Sequence, residues 1–223
     1  TGKAIKVRPF TVKEEKLLLM AAESKEPNDI INTVKQVISN CIISGEFDVD
    51  KVPFFDVDLL FIYLRAKSIG EGVEVRVTCN NVLETGEVCN AKFPTKISID
   101  QAKLLKSEIS NNIKLDKDKG VVMRYPTYSV IKHLENGSAI DKKTSLIVNS
   151  IEHIFDKKGV YSYKDYSKEE LTEFVEGLTE EGYKKLEQWV DEFPVFYIEV
   201  NEKCPKCGFD HKLRYSDFLD FFF

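Results

Sequence analysis

Val195-Phe-Tyr-Ile-Glu-Val200 is followed, after three residues, by Cys204-Pro-Lys-Cys207-Gly208 and then by Lys212-Leu-Arg-Tyr215. The first run is β-branched and aromatic and reads as a strong strand. Two cysteines separated by two residues and closed by a glycine have the shape of a zinc knuckle. Their thiolates can share one ion while the backbone amides of the turn point at the sulfurs. Lys212–Tyr215 is the short return strand. The reading of the rest of the chain depends on whether a second cysteine pair exists to complete the site.

It does. Val73, Val75 and Val77 alternate with Glu74, Arg76 and Thr78, the period of two that marks a half-buried strand, and Cys79 closes it. A loop with Asn80-Asn81 and Gly86 leads to Cys89, and Ala91–Ile99 reads as a returning strand interrupted by Pro94. The Cys79-x9-Cys89 spacing is wider than the usual two to four residues. Both pairs nevertheless lie where a strand meets a turn, as in zinc ribbons. Cys79, Cys89, Cys204 and Cys207 are therefore the expected ligands of one structural Zn2+. Four thiolates leave no open coordination position for catalysis. His211, just beyond the second turn, could replace one cysteine. The competing readings are a redox motif, for which no strand–C-x-x-C–helix context exists, and thiols that are free or disulfide-paired.

The fold class expected is α+β. Residues 1–70 form an N-terminal helical module. A small zinc-ribbon-like antiparallel β unit comes from about 71–99 plus 195–223, and a mostly helical insertion of about 100–194 separates its halves. Within the first module, Thr11-Val-Lys-Glu14 is a capping box opening a helix with Leu17, Leu18 and Ala21 on one face. Asn28 or Asp29 can cap a second helix whose stripe is Ile30, Val34, Val37, Ile38, Cys41 and Ile42. A third follows Pro53 through Val57–Leu64 and ends near Ser68 to Gly70. In the insertion, Ile113–Leu115 and Val121–Arg124 read as short strands, and Ser129–Leu134 and Lys143–Phe155 as helices. Ser167-Lys-Glu-Glu170 is a second capping box before Leu171, Phe174, Val175 and Leu178, and a last helix runs from about Thr179 to Glu192.

The chain has 223 residues, 43% hydrophobic and 31% charged, an ordinary globular composition, and its formal net charge is −5. That balance is unsuited to wrapping a phosphate backbone, so nucleic acid is not the expected main partner. No stretch approaches the roughly 20 apolar residues of a membrane span. Thr1–Arg8 is basic but is not followed by a signal-type apolar core. Five cysteines, four beside turns and Cys41 in a helical stripe, suit metal ligation plus one buried thiol in a reducing compartment.

Other candidate chemistry is thin. Gly70-Glu-Gly72 precedes a strand instead of following one, so it is no dinucleotide loop. Asp56 and Asp58 sit at a helix start, where carboxylates complement the dipole. His133 and His153 read as partly exposed helical residues, and Asn136-Gly137-Ser138 as a turn. No nucleophile–base arrangement is visible, and no enzyme activity is expected. The last residues, Tyr215-Ser-Asp-Phe218-Leu-Asp-Phe221-Phe-Phe223, are rich in aromatics, which fits either folding back on the core or docking on a partner.

Three segments carry a resemblance. They are Ile5-Lys-Val-Arg-Pro-Phe-Thr-Val-Lys-Glu-Glu-Lys-Leu-Leu-Leu19, Val34-Lys-Gln-Val-Ile-Ser-Asn-Cys41, and Phe54-Phe-Asp-Val-Asp-Leu-Leu-Phe-Ile-Tyr-Leu-Arg-Ala-Lys-Ser68. Together they resemble the baseplate hub or hub-assembly subunit family of T-even-like, contractile-tailed bacteriophages. The resemblance implies a structural or assembly role, with other phage tail and baseplate subunits as partners. It places the protein in the host cytoplasm during assembly or in the tail baseplate of the virion. The alternative, from another class, is a zinc-ribbon nucleic-acid-binding or regulatory protein. That reading needs a basic surface around the ribbon, for which Lys203, Lys206, Lys212 and Arg214 are available, diluted by Glu199, Glu202 and Asp210.

Overall fold

Capping chemistry sets where the helices start. The computed structural model describes residues 4–132 and 138–216. After the short strand β1 (Lys6–Val7), Thr11 caps α1 (Val12–Ser24): its side chain accepts from the Glu14 amide while Glu14 reaches back to the Thr11 amide. Next comes α2 (Pro27–Cys41), which buries Ile30, Val34, Val37, Ile38 and Cys41 as the stripe predicts. Its cap differs from expectation. Pro27 occupies the first helical turn and Glu26, not Asn28 or Asp29, is the cap residue. A proline with fixed φ and no N–H fits the first turn, where that donor would be unpaired anyway. Ile42, expected on the helix, opens β2 (Ile42–Ser44), which pairs with β1.

Downstream of α3 (Phe54–Ser68) lies the hairpin of β3 (Gly72–Thr78) and β4 (Lys92–Ser98), paired in register from Gly72↔Ser98 to Thr78↔Lys92. Pro94 stands opposite Arg76 inside an unbroken ladder, so the expected interruption is absent. The sheet has only two strands, and a proline on an edge strand can turn its missing donor outward.

β5 (Lys103–Leu105), β6 (Asn112–Lys114), β7 (Gly120–Met123), α4 (Tyr128–Lys132) and α5 (Ala139–Ser150) follow. Ile151–Phe155, expected as the end of a helix, is instead strand β8, so His153 is a half-buried strand residue. β9 (Val160–Ser162), α6 (Lys168–Glu176) and α7 (Glu180–Asp191) complete the middle, with Ser167 and Thr179 as caps. The chain closes with β10 (Val195–Lys203) and β11 (Asp210–Tyr215). His133 and the Phe218–Phe223 tail lie outside the described residues.

Helices and antiparallel sheets together make the fold α+β. Two compact units are present, one from residues up to 49, 55–105 and 195 onward, the other from 50–54 and 106–194. The first carries the β3–β4 hairpin and the sheet β11-β10-β5. Its core joins Ile62, Val73, Ile97, Ile99, Phe196, Ile198 and Val200. The second holds the four-stranded sheet β6-β7-β8-β9 and helices α4 to α7 around Val121, Met123, Ile147, Ile151, Leu186 and Trp189. Trp189 stacks on Tyr125 at 5.4 Å and donates its indole N–H to Asn111 Oδ1 at 3.1 Å, so its polar edge is satisfied within an apolar core.

Candidate metal centre

The nine residues between Cys79 and Cys89 are not a slack loop. Val82 and Val88 form an antiparallel bridge, Leu83 donates to Glu87 C=O at 2.8 Å, and Gly86 turns the tip with φ +85°. Below this miniature hairpin, Cys79 N–H donates to Ala91 C=O at 2.8 Å and Cys89 N–H to Asn81 C=O at 2.9 Å. The wide spacing therefore closes as tightly as a short knuckle. Asn90, directly after Cys89, is in the left-handed region with φ 50°, and Gly208 occupies the same place after Cys207 with φ 75°. In the second turn Cys204 N–H donates to Phe209 C=O and Gly208 N–H to Cys204 C=O, both at 2.9 Å.

Two hairpins far apart in sequence thus present four sulfurs to one point. All four Sγ atoms lie within 4.8 Å of one another. Cys79 and Cys207 are 3.6 Å apart, and Cys89 and Cys204 are 3.8 Å apart. A tetrahedron with metal–sulfur bonds of about 2.3 Å has edges of about 3.8 Å, whereas a disulfide needs about 2.05 Å. The cysteines are free, and the set can hold one metal ion.

Electrostatics favours a cation there. Burial pushes the Cys79 thiol up, against the pull of the Asn81 amide. At Cys89 the Ala91 amide favours the thiolate, yet burial and the Cys207 and Cys204 sulfurs raise it on balance. Cys204 goes the other way: burial opposes ionisation, but the amides of Cys207 and Lys206 outweigh it. One stabilised thiolate among buried thiols is where a soft cation would first attach and then deprotonate its neighbours.

Supporting groups complete the shell. Asn81 Nδ2 donates to Cys207 Sγ at 3.7 Å, and Lys206 Nζ donates to Cys89 C=O at 3.2 Å. The sequence reading expected the sulfur-directed amides of the turn but missed both of these side chains. An Asn two residues after the first cysteine and a Lys inside C-x-x-C were the available clues. Phe93, Leu83, Ala91 and Leu213 pack around the cluster. His211 is not part of it. The ring is buried between Phe93 at 5.9 Å and Phe209 at 4.9 Å. Cys41, the fifth cysteine, is fully buried on α2, as its place in the apolar stripe requires.

A model of the T4 bacteriophage base plate protein family matches residues 1–223. The chain belongs to that family. This baseplate-family chain is 26% identical over 224 residues to the baseplate hub assembly protein gp26 of Enterobacteria phage T4, covering 99% of the chain and 93% of that protein. No solved structure matches it. The resemblance carried by residues 5–19, 34–41 and 54–68 is borne out, and the match extends through the second half as well.

Two of the ribbon's four basic residues stand opposite carboxylates in this baseplate-family chain. Lys203 stands opposite Asp210 and Arg214 opposite Glu199, while the Arg214 guanidinium lies 3.9 Å from the Tyr197 ring. Among the described residues no helix is long and apolar enough to cross a membrane.

Proposed function

We propose that this protein is a non-enzymatic structural or assembly subunit of a bacteriophage tail baseplate, acting at the hub with other tail subunits and fastened by one structural zinc ion held by Cys79, Cys89, Cys204 and Cys207. The observation that carries the role is the family match along the whole chain, supported by the likeness to a hub assembly protein. Zinc is the metal of choice because four thiolates in a closed tetrahedral set suit it and leave no site for substrate. Residues 1–70 would serve as a helical docking module, 71–99 with 195–223 as the zinc-fastened ribbon, and 100–194 as its insertion. Work in the host cytoplasm during tail assembly follows from that role. The nucleic-acid reading is weaker, because Lys203 and Arg214 face carboxylates across the ladder and Lys206 donates to the Cys89 carbonyl.

Two experiments test the proposal separately. Co-expression with hub subunits from the same phage should yield a stable complex, and a chain that co-purifies with none of them is no baseplate subunit. Elemental analysis should find close to one zinc per chain. Replacing Cys204 and Cys207 by Ser should remove the metal and markedly lower the melting temperature, because structural zinc contributes folding energy directly. Full zinc retention in that double variant would end the metal assignment.

A further inference from the structure

A second built feature lies in the unit formed by residues 50–54 and 106–194. At the start of α6 a pocket of about 260 Å³ is lined by Arg124, Lys164, Lys168, Asn149, Tyr163 and Tyr166, and no carboxylate lines it. Among the described residues none of these three cations is ion-paired. By contrast, Lys143, Lys157, Lys184 and Lys185 of the same unit each hold a carboxylate. Three unpaired cations around one cavity is an unusual arrangement in a chain of net charge −5.

The guanidinium is held in place. Its centre lies 3.8 Å from the Tyr163 ring, and Nη2 makes one long bond of 3.4 Å to Asn149 C=O, so most of the five donors stay uncommitted. Ser167 caps the Glu170 amide of α6, which leaves the earlier amides of the first turn, at the positive end of the helix dipole, without intrahelical partners.

We infer that Arg124, Lys164 and Lys168 receive a carboxylate side chain from an acidic segment of a neighbouring baseplate subunit. The planar Arg fork suits a carboxylate bidentately. The cavity admits one or two side chains. The chain's net charge of −5 disfavours a polyanionic phosphate backbone as the source of the anion. The inference rests on the baseplate reading for the source of the carboxylate.

The test is an NMR titration of the full zinc-loaded chain with a short Glu-rich peptide, using inorganic phosphate and a short DNA single strand as comparators. The peptide should shift the Arg124 Nε–Hε and Tyr163 ring signals saturably. Lys164→Gln and Lys168→Gln, both at exposed positions, should each weaken it about tenfold without lowering the melting temperature. Non-saturable shifts, or affinity unchanged in both variants, overturn the inference. So does tighter binding of phosphate or DNA than of peptide. Peptide binding by a chain that co-assembles with no baseplate subunit removes the baseplate reading and leaves the pocket. Co-assembly indifferent to both Lys substitutions removes the pocket's role and leaves the reading.

Discussion

Glu14 serves two structures with one carboxylate. Arg8 grips it from two nitrogens, Nη2 to Oε1 at 2.8 Å and Nη1 to Oε2 at 2.9 Å, while the Thr11 amide donates to Oε2 at 2.7 Å. Arg8 also donates to Asn40 C=O at 3.0 Å, so one ion pair ties the entry of α1 to the end of α2. The Arg8 hydrogen bond, aided by Thr11 and opposed by burial, lowers the Glu14 pKa from 4.5 to about 2. A carboxylate whose folded pKa is depressed adds stability above its unfolded pKa and loses it as pH falls through the folded one. Stability from this group should therefore disappear between about pH 5 and pH 2. The shift is worth about 2 kcal/mol once the exposure of Arg8, 38% of its side chain, is allowed for. Urea unfolding of wild type and Glu14→Gln should differ by that amount at pH 7, with the gap closing through the acid window. A gap that persisted at pH 2 would show that the effect is packing and not charge. The capping box itself was legible in Thr11-Val-Lys-Glu14, but the Arg8 clamp was not, since nothing local links residues 8, 14 and 40.

At the scale of elements, periodicity was readable wherever one face is buried over several turns, as on α2, or over alternate residues, as on β3. It failed at Ile151–Phe155, where a helical pattern runs into a strand. Asn149 and Ser150 are weak helix formers, and Ile151, Ile154 and Phe155 pack better on a pleated surface, so α5 stops and β8 joins β7 and β9. A side-chain pattern cannot show that change, because the partner strands are distant in sequence. The β7–β8 ladder also explains Gly120. A Cβ there would stand 2.2 Å from Phe155 Cζ and 2.6 Å from the Ile113 carbonyl oxygen. The Phe155 ring tip can move, but the carbonyl belongs to the backbone of the neighbouring strand β6. Gly120→Ala should accordingly cost about 2–3 kcal/mol by overpacking, read as a lower urea midpoint at constant m. An unchanged midpoint would mean that the β6–β7 turn yields freely.

For the whole molecule, the two units are held by different means. The tetracysteine ribbon was visible in the sequence because each cysteine sits where a strand meets a turn, and such junctions are local. The four-stranded sheet within the insertion was only half visible, because strands of three to five residues carry little periodicity and their order is set by nonlocal pairing. That sheet, with α5 to α7, closes around Trp189 and Met123, and among the described residues it holds no cluster of metal ligands. The metal end of the ribbon has a core of only Val77, Phe93 and three buried cysteines, too few apolar side chains to order the two cysteine turns unaided. The far ends of β3, β4 and β10, by contrast, share the core around Val73, Ile97 and Ile198. Removing zinc should then act unevenly. The chain's single tryptophan is Trp189, so its fluorescence reports the metal-free unit alone. With chelator, amide exchange in residues 77–93 and 202–213 should accelerate by orders of magnitude, since metal binding there supplies folding free energy. Trp189 emission should stay at its native wavelength over the same interval, and added zinc should restore protection. Trp189 emission that moved in step with ribbon exchange would mean one cooperative unit, and unchanged ribbon exchange would mean that the sulfurs hold no metal of structural consequence.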